Sequence, residues 1–129
     1  MARIQGDLKE RTARFAAAIV NLSDDLPNNN KGWVLGRQLI RSGTSIGANV
    51  YEAEHALSDA DFAYKCSVAR KESSETFYWL DLCRRCGLLA ADKATKLAAE
   101  ADELMRILSA IVKRTEDYLD VKRRTGTAK

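Results

Sequence analysis

The side chains able to do chemistry are few: the chain holds three cysteines and one histidine. Cys83-Arg84-Arg85-Cys86 has the spacing of a dithiol. Such a pair becomes reactive when it opens a helix after a strand, where the helix N-terminus acidifies a thiol. Here the hydrophobic spacing places it at a helix end instead. A structural zinc ion takes four ligands, and Cys66, Cys83, Cys86 and His55 sit on different helices or at the wrong spacing for it. The three thiols are therefore expected to be structural and partly buried.

Glu52-Ala53-Glu54-His55 contains one Glu-x-x-His, which di-iron helical bundles use twice, together with further inward glutamates. With a single histidine that site cannot be completed within one chain, so His55 is expected at a solvated helix end. The sequence holds no glycine-rich phosphate loop, no Gly-x-Ser-x-Gly and no Ser, His and Asp set. The expectation is a non-enzymatic protein with no cofactor and no metal.

The 129 residues are 46% hydrophobic and 30% charged with one proline, as in a single globular domain over 1–129. No apolar run approaches a membrane span, and Met1 to Asp7 lacks an apolar signal segment, so a cytoplasmic, reduced protein is expected. The net charge is +3, and Lys122, Arg123, Arg124 and Lys129 give the end of the chain a local +4. The body is thus near neutral, and residues of about 122–129 read as a basic, flexible tail.

Apolar spacing predicts four helices. The first opens at Gly6 or Asp7 and runs to about Asp25, with Leu8, Thr12, Phe15, Ile19, Leu22 and Leu26 on one side and Pro27 with the asparagine run behind it as a stop. The second, roughly Trp33 to His55, carries Leu35, Leu39, Ser42, Ile46, Val50 and Ala53 on its inner stripe. Ser58 with Asp61 resembles a capping box and opens the third, whose seam is Phe62, Cys66, Ala69, Ser73, Thr76, Leu80 and Cys83, with Gly87 as the C-terminal stop. The fourth starts near Asp92 and repeats Leu97, Ala101, Leu104, Leu108, Ile111, Thr115 and Tyr118, ending in Lys122 to Arg124, which suit the helix dipole. Short connections and the absence of strand alternation predict an all-α, antiparallel up-down-up-down four-helix bundle.

Two features point beyond one bundle. Phe77, Tyr78 and Trp79 stand about 100° apart around a helix, too wide for one internal stripe, so at least one is expected at a partner subunit; the alternative is that Tyr78 lies on the surface. Gly43 and Gly47 each cost about 1 kcal/mol in a helix interior. Either another helix packs closely there, in an oligomer interface, or the helix kinks. Beside the inner stripe, Arg41, Ser45, Asn49 and Glu52 form a polar row facing Glu72 and Glu75 of the third helix. An internal network fixing helix register is expected, so that Glu75→Ala lowers thermal stability markedly.

From Gln38 to Glu52 the chain reads Gln-Leu-Ile-Arg-Ser-Gly-Thr-Ser-Ile-Gly-Ala-Asn-Val-Tyr-Glu. This resembles the helix-two signature, approximately Q-[LI]-x-R-x-x-x-S-I-x-x-N-[IV]-x-E-G, of four-helix bundle proteins encoded in intervening sequences of bacterial 23S ribosomal RNA genes. Val68-Ala69 to Glu75, Leu80 and Cys86-Gly87-Leu88-Leu89 resemble the family's third helix and its ending. Gly47 stands where many members have proline, Ala53 replaces the glycine after Glu52, which lengthens helix two, and Glu72 replaces a frequent serine. The resemblance implies a bacterial cytosolic homopentamer. The chain is also distantly similar to the pentameric accessory proteins of diversity-generating retroelements, which bind nucleic acid and a reverse transcriptase.

The resulting expectation is a non-enzymatic oligomeric binding module whose leading partner is RNA or DNA. Five basic tails gathered near one rim could bind phosphate despite a neutral body. Arg84, Arg85, Lys122, Arg123 and Arg124 are the candidate nucleic-acid contacts. Gln38, Arg41, Ser45, Asn49, Glu52 and Glu75 form the signature polar network, and Gly43, Gly47, Phe77, Tyr78 and Trp79 are the candidate oligomer interface. The competing expectation is a protein–protein scaffold without nucleic acid.

Overall fold

The computed structural model describes residue 4 and residues 6–126, and within them the expected stripes become buried faces. Leu8, Thr12, Phe15, Ile19 and Leu22 form the inner side of α1 (Leu8–Leu22). A 3-10 turn, Ser23–Asp25, carries the chain to Leu26, whose side chain closes that end of the core.

The second helix, α2 (Asn30–Glu54), begins three residues before the expected start. Asn29, expected to help stop the first helix, instead caps the second: its side-chain oxygen accepts from the Gly32 N–H at 3.1 Å. The helix then runs through Gly43 and Gly47 without a break. A Cβ on Gly43 would lie 2.8 Å from Cγ2 of Ile19, and one on Gly47 would lie 3.3 Å from Oγ1 of Thr12. The small residues therefore admit α1 of the same chain. This corrects their expected place in an oligomer interface.

Ser58 opens α3 (Asp59–Arg85) as expected, its hydroxyl accepting from the Asp61 N–H at 3.0 Å. All seven expected seam residues of this helix are buried. Gly87, at φ +71°, ends it with the Leu88 N–H donating to the Cys83 carbonyl at 2.9 Å, the wrapped C-terminal cap that glycine favours. The fourth helix, α4 (Ala91–Thr125), includes Lys122, Arg123 and Arg124. Their backbones bond into the last turn, so the segment expected to be a flexible tail is helical as far as Thr125; residues 127–129 lie outside the described residues.

Contacts between helices give their directions. Gly43 meets Ile19 and Gly36 meets Leu26, so α1 and α2 are antiparallel. Arg41 reaches Glu72 while Glu52 reaches Lys65, so α2 and α3 are antiparallel too. The short link to α4 and the 2.6 Å hydrogen bond from the Ser73 hydroxyl to the Ala101 carbonyl tie α3 to α4. The core between them is Phe15, Ile19, Leu39, Ile46, Phe62, Leu80, Leu104 and Leu108 with smaller neighbours.

Among the helix pairs that touch, α1 and α4 share the smallest contact. Arg11 forms a two-pronged ion pair with Glu100, 2.7 Å on each side, and Lys93 reaches Asp25 at 3.0 Å. The bond to Glu100 holds the Arg11 guanidinium above its ordinary pKa against the opposing effect of burial. No helix among the described residues is long and apolar enough to cross a membrane.

Candidate functional site

The residues with reactive potential separate in space. Cys66 and Cys83 are free and buried in the core, whereas Cys86 is exposed at the end of α3. Burial, assisted by nearby Glu54, pushes the Cys66 thiol up to about 11, and burial pushes Cys83 to about 11 as well. Neither is a nucleophile at neutral pH. His55 sits at the C-terminus of α2 with Nδ1 3.1 Å from the Tyr51 carbonyl. Beside it Glu52 accepts a 2.9 Å bond from Lys65, which raises the lysine above its ordinary value. Among the described residues no three His, Cys, Asp or Glu side chains gather as metal ligands.

The signature residues lie along the outer seam of α2 and α3. Arg41 donates to Glu72 at 3.2 Å, to Glu75, and to Gln38 at 3.2 Å, and the Trp79 indole N–H donates to Glu75 at 2.9 Å. Ser45 and Asn49 do not join this group; they bond back to carbonyls of their own helix, those of Arg41 and Ser45. Glu52 pairs separately with Lys65. The expected internal network is thus two surface clusters, with the Arg41 side chain 46% exposed, Glu75 30% and Glu72 13%. The residue pairing was legible in helical spacing. Depth was not, because these positions lie on the flank of the inner stripe, where the groove between two helices opens to solvent.

The basic candidates lie at opposite ends of the molecule, because α3 and α4 are antiparallel. Arg84 and Arg85 both donate to Asp81, at 2.8 and 2.7 Å, and hold its carboxyl below the ordinary range. Arg123 donates to Asp120 at 2.6 Å, and the Lys122 ammonium rests 4.9 Å over the Tyr118 ring. Two arginines sharing one aspartate keep a positive excess at the end of α3. The last turn of α4 keeps a larger one.

Besides Leu57 in the link before α3 and Val121 on α4, large apolar side chains are exposed in two rows. On α2, Trp33, Ile40 and Tyr51 repeat at intervals of seven and eleven, one stripe within about 20°. This stripe borders α1, where Val20 is also exposed and the Lys9 ammonium lies 5.4 Å over the Tyr51 ring. On α3, Tyr64 and Tyr78 are 64% and 57% exposed, fourteen residues apart and opposite the buried seam. Phe77 is 41% exposed and Trp79 half-buried through its bond to Glu75. Tyr64, Tyr51 and Trp33 were not singled out from sequence, although the seven-residue step from Trp33 to Ile40 is visible there.

The 23S rRNA-intervening sequence protein model matches residues 6–110, which takes in both the signature seam and the first three helices. The chain belongs to that family. Among solved structures it is similar to a protein of unknown function from the S23 ribosomal protein family of Bacteroides thetaiotaomicron. The two are 42% identical, with a TM-score of 0.77, over 82% of this chain and 98% of that one. Among curated proteins none matches the chain. The 23S rRNA-intervening sequence family model stops at residue 110, short of the basic last turns of α4.

Proposed function

We propose that this member of the 23S rRNA-intervening sequence family is a non-enzymatic, cytoplasmic binding module that assembles with copies of itself and offers basic surfaces to RNA or DNA. The observation that carries the reading is the pair of exposed apolar stripes, Val20, Ile40 and Tyr51 on one side and Tyr64 and Tyr78 on another. Rows of large apolar side chains left exposed along two helix faces are the candidate contact surfaces. Because the two stripes are different patches facing different ways, the contact they favour is heterologous, one copy's α2 side on the next copy's α3 side. Repeated heterologous contacts close into a ring when the rotation allows. A homopentamer is the ring implied by the sequence resemblance.

In such a ring the last turn of α4 appears once per copy with Lys122, Arg123 and Arg124 on it, concentrating positive charge that a single chain lacks. Light scattering tests the assembly: a ring at micromolar concentration is expected, and a folded monomer overturns it. Binding to a mixed oligonucleotide pool tests the partner: affinity should fall linearly in log–log form as salt rises.

A second reading, a scaffold for another protein with no nucleic acid, is favoured by the ion pairs that tie Arg84, Arg85 and Arg123 to Asp81 and Asp120. Absence of oligonucleotide binding at low salt selects it.

A further inference from the structure

A groove crosses the first turns of α2, lined by Gly32, Trp33, Gly36, Arg37, Ile40 and Arg41. Trp33 is 60% exposed, yet its ring is held: Nε1 donates to the Asn28 side-chain oxygen at 2.9 Å. The turn of helix beneath it is packed tightly against the preceding loop. A Cβ on Gly32 would fall 1.8 Å from the Pro27 carbonyl oxygen, and one on Gly36 would fall 3.2 Å from Leu26. Gly32 and Gly36 are themselves buried under this loop, so the flat apolar face on offer is that of the oriented, exposed indole. Trp33 and Ile40 belong both to this groove and to the α2 stripe, whose Ile40 and Tyr51 carry the ring contact proposed above.

The charges beside this face differ in availability. Arg41 is engaged by Gln38, Glu72 and Glu75, whereas among the described residues Arg37 and Lys31 have no ion pair. Arg37 lies four residues after Trp33, so the two side chains are neighbours on one helix surface. A π-face with an uncommitted guanidinium one turn away matches the two parts of a nucleotide, a base that stacks and a phosphate that carries charge. We infer that this groove takes one unpaired nucleotide of a single-stranded nucleic acid, the base stacked on Trp33 and the phosphate held by Arg37. This rests on the nucleic-acid reading above and narrows it to single strands, because a base inside a duplex has no free face to stack. The start of α2 lies at the same end of the molecule as Arg84 and Arg85, which gives the strand a path onward.

Fluorescence anisotropy with a labelled single-stranded oligouridine and a duplex of equal length tests this on the full chain. Trp33→Ala is expected to weaken single-strand binding about tenfold, Trp33→Phe less, and neither to change duplex binding. Arg37→Gln should lower the salt slope for the single strand by about 0.7. Circular dichroism of the exposed-site variants should match the wild type. If both oligonucleotides bind and Trp33→Ala changes neither, the groove assignment is overturned while nucleic-acid binding stands. If neither binds, the broader reading falls, and this one with it. If a proline-rich peptide binds in a Trp33-dependent way and the oligouridine does not, the groove is a protein site and the inference is overturned.

Discussion

Thr76 on α3 and Ser42 on α2 meet inside the sealed seam, the threonine hydroxyl 2.9 Å from the serine hydroxyl, which itself donates to the Gln38 carbonyl at 2.9 Å. Both side chains are fully buried, so the pair links two helices without water. Thr76→Val is expected to cost about 1 kcal/mol, the net worth of a buried hydrogen bond. Adding Ser42→Ala should cost less than the sum of the two single changes, because the bond between the two hydroxyls is already lost in either single variant. Urea unfolding of the double-mutant cycle measures it.

Gly43 sits where Ile19 leaves no room for a methyl group. Gly43→Ala gains about 1 kcal/mol of helix propensity and loses about 1–3 kcal/mol to overpacking. A net loss of stability is expected, and it should shrink in an Ile19→Ala background. A Gly43→Ala protein that melts higher than wild type contradicts the close approach of α1.

The Glu75 expectation from sequence has to be scaled down. Its carboxylate holds Arg41 and Trp79, but at a half-open surface where ion pairs contribute roughly 0–1 kcal/mol. Glu75→Ala should therefore lower stability by about 1 kcal/mol rather than markedly, and the effect should diminish in high salt. Thermal melts at two ionic strengths decide between surface and interior.

The bidentate pair between Arg11 and Glu100 spans the loosest helix contact in the bundle. Arg11→Glu should destabilise the protein by placing like charges together, and Arg11→Glu with Glu100→Arg should recover most of the loss. Failure of the swap to recover stability in denaturant titrations argues against α1 docking on α4 as described.

Cys66 and Cys83 supply a pH signature. Each thiol titrates near 11 when folded against a reference of 9.0, so the unfolded chain loses its protons first as pH rises. Stability should be intact below about pH 9 and fall between about pH 9 and 11, since the unfolded state then binds fewer protons than the folded one. Replacing both cysteines by alanine should flatten that decline in melting temperature, whatever the substitutions do to stability at neutral pH.

Helix existence, the Ser58 cap and the seam of α3 were readable because three- and four-residue apolar spacing and a capping serine are local signals. The start of α2 was misplaced because Asn29 caps a helix from within an asparagine run that resembles a stop. Gly43 and Gly47 were ambiguous for a different reason. Spacing says that a close neighbour is wanted, but whether the neighbour is α1 or a second copy depends on which flank α1 covers. The same limit hid the surface position of Arg41 and the exposure of Trp33 and Tyr64, since periodicity defines an inner face without showing where adjoining helices leave the flanks open.

The division between Cys66 and Cys83 in the interior and Cys86 outside has a practical corollary. A maleimide dye applied to the unaltered protein should attach once per chain, at the far tip of the third helix, without any engineered labelling position. Counting bleaching steps on single particles, and measuring energy transfer between their dyes, then yields both copy number and spacing around whatever closed assembly forms.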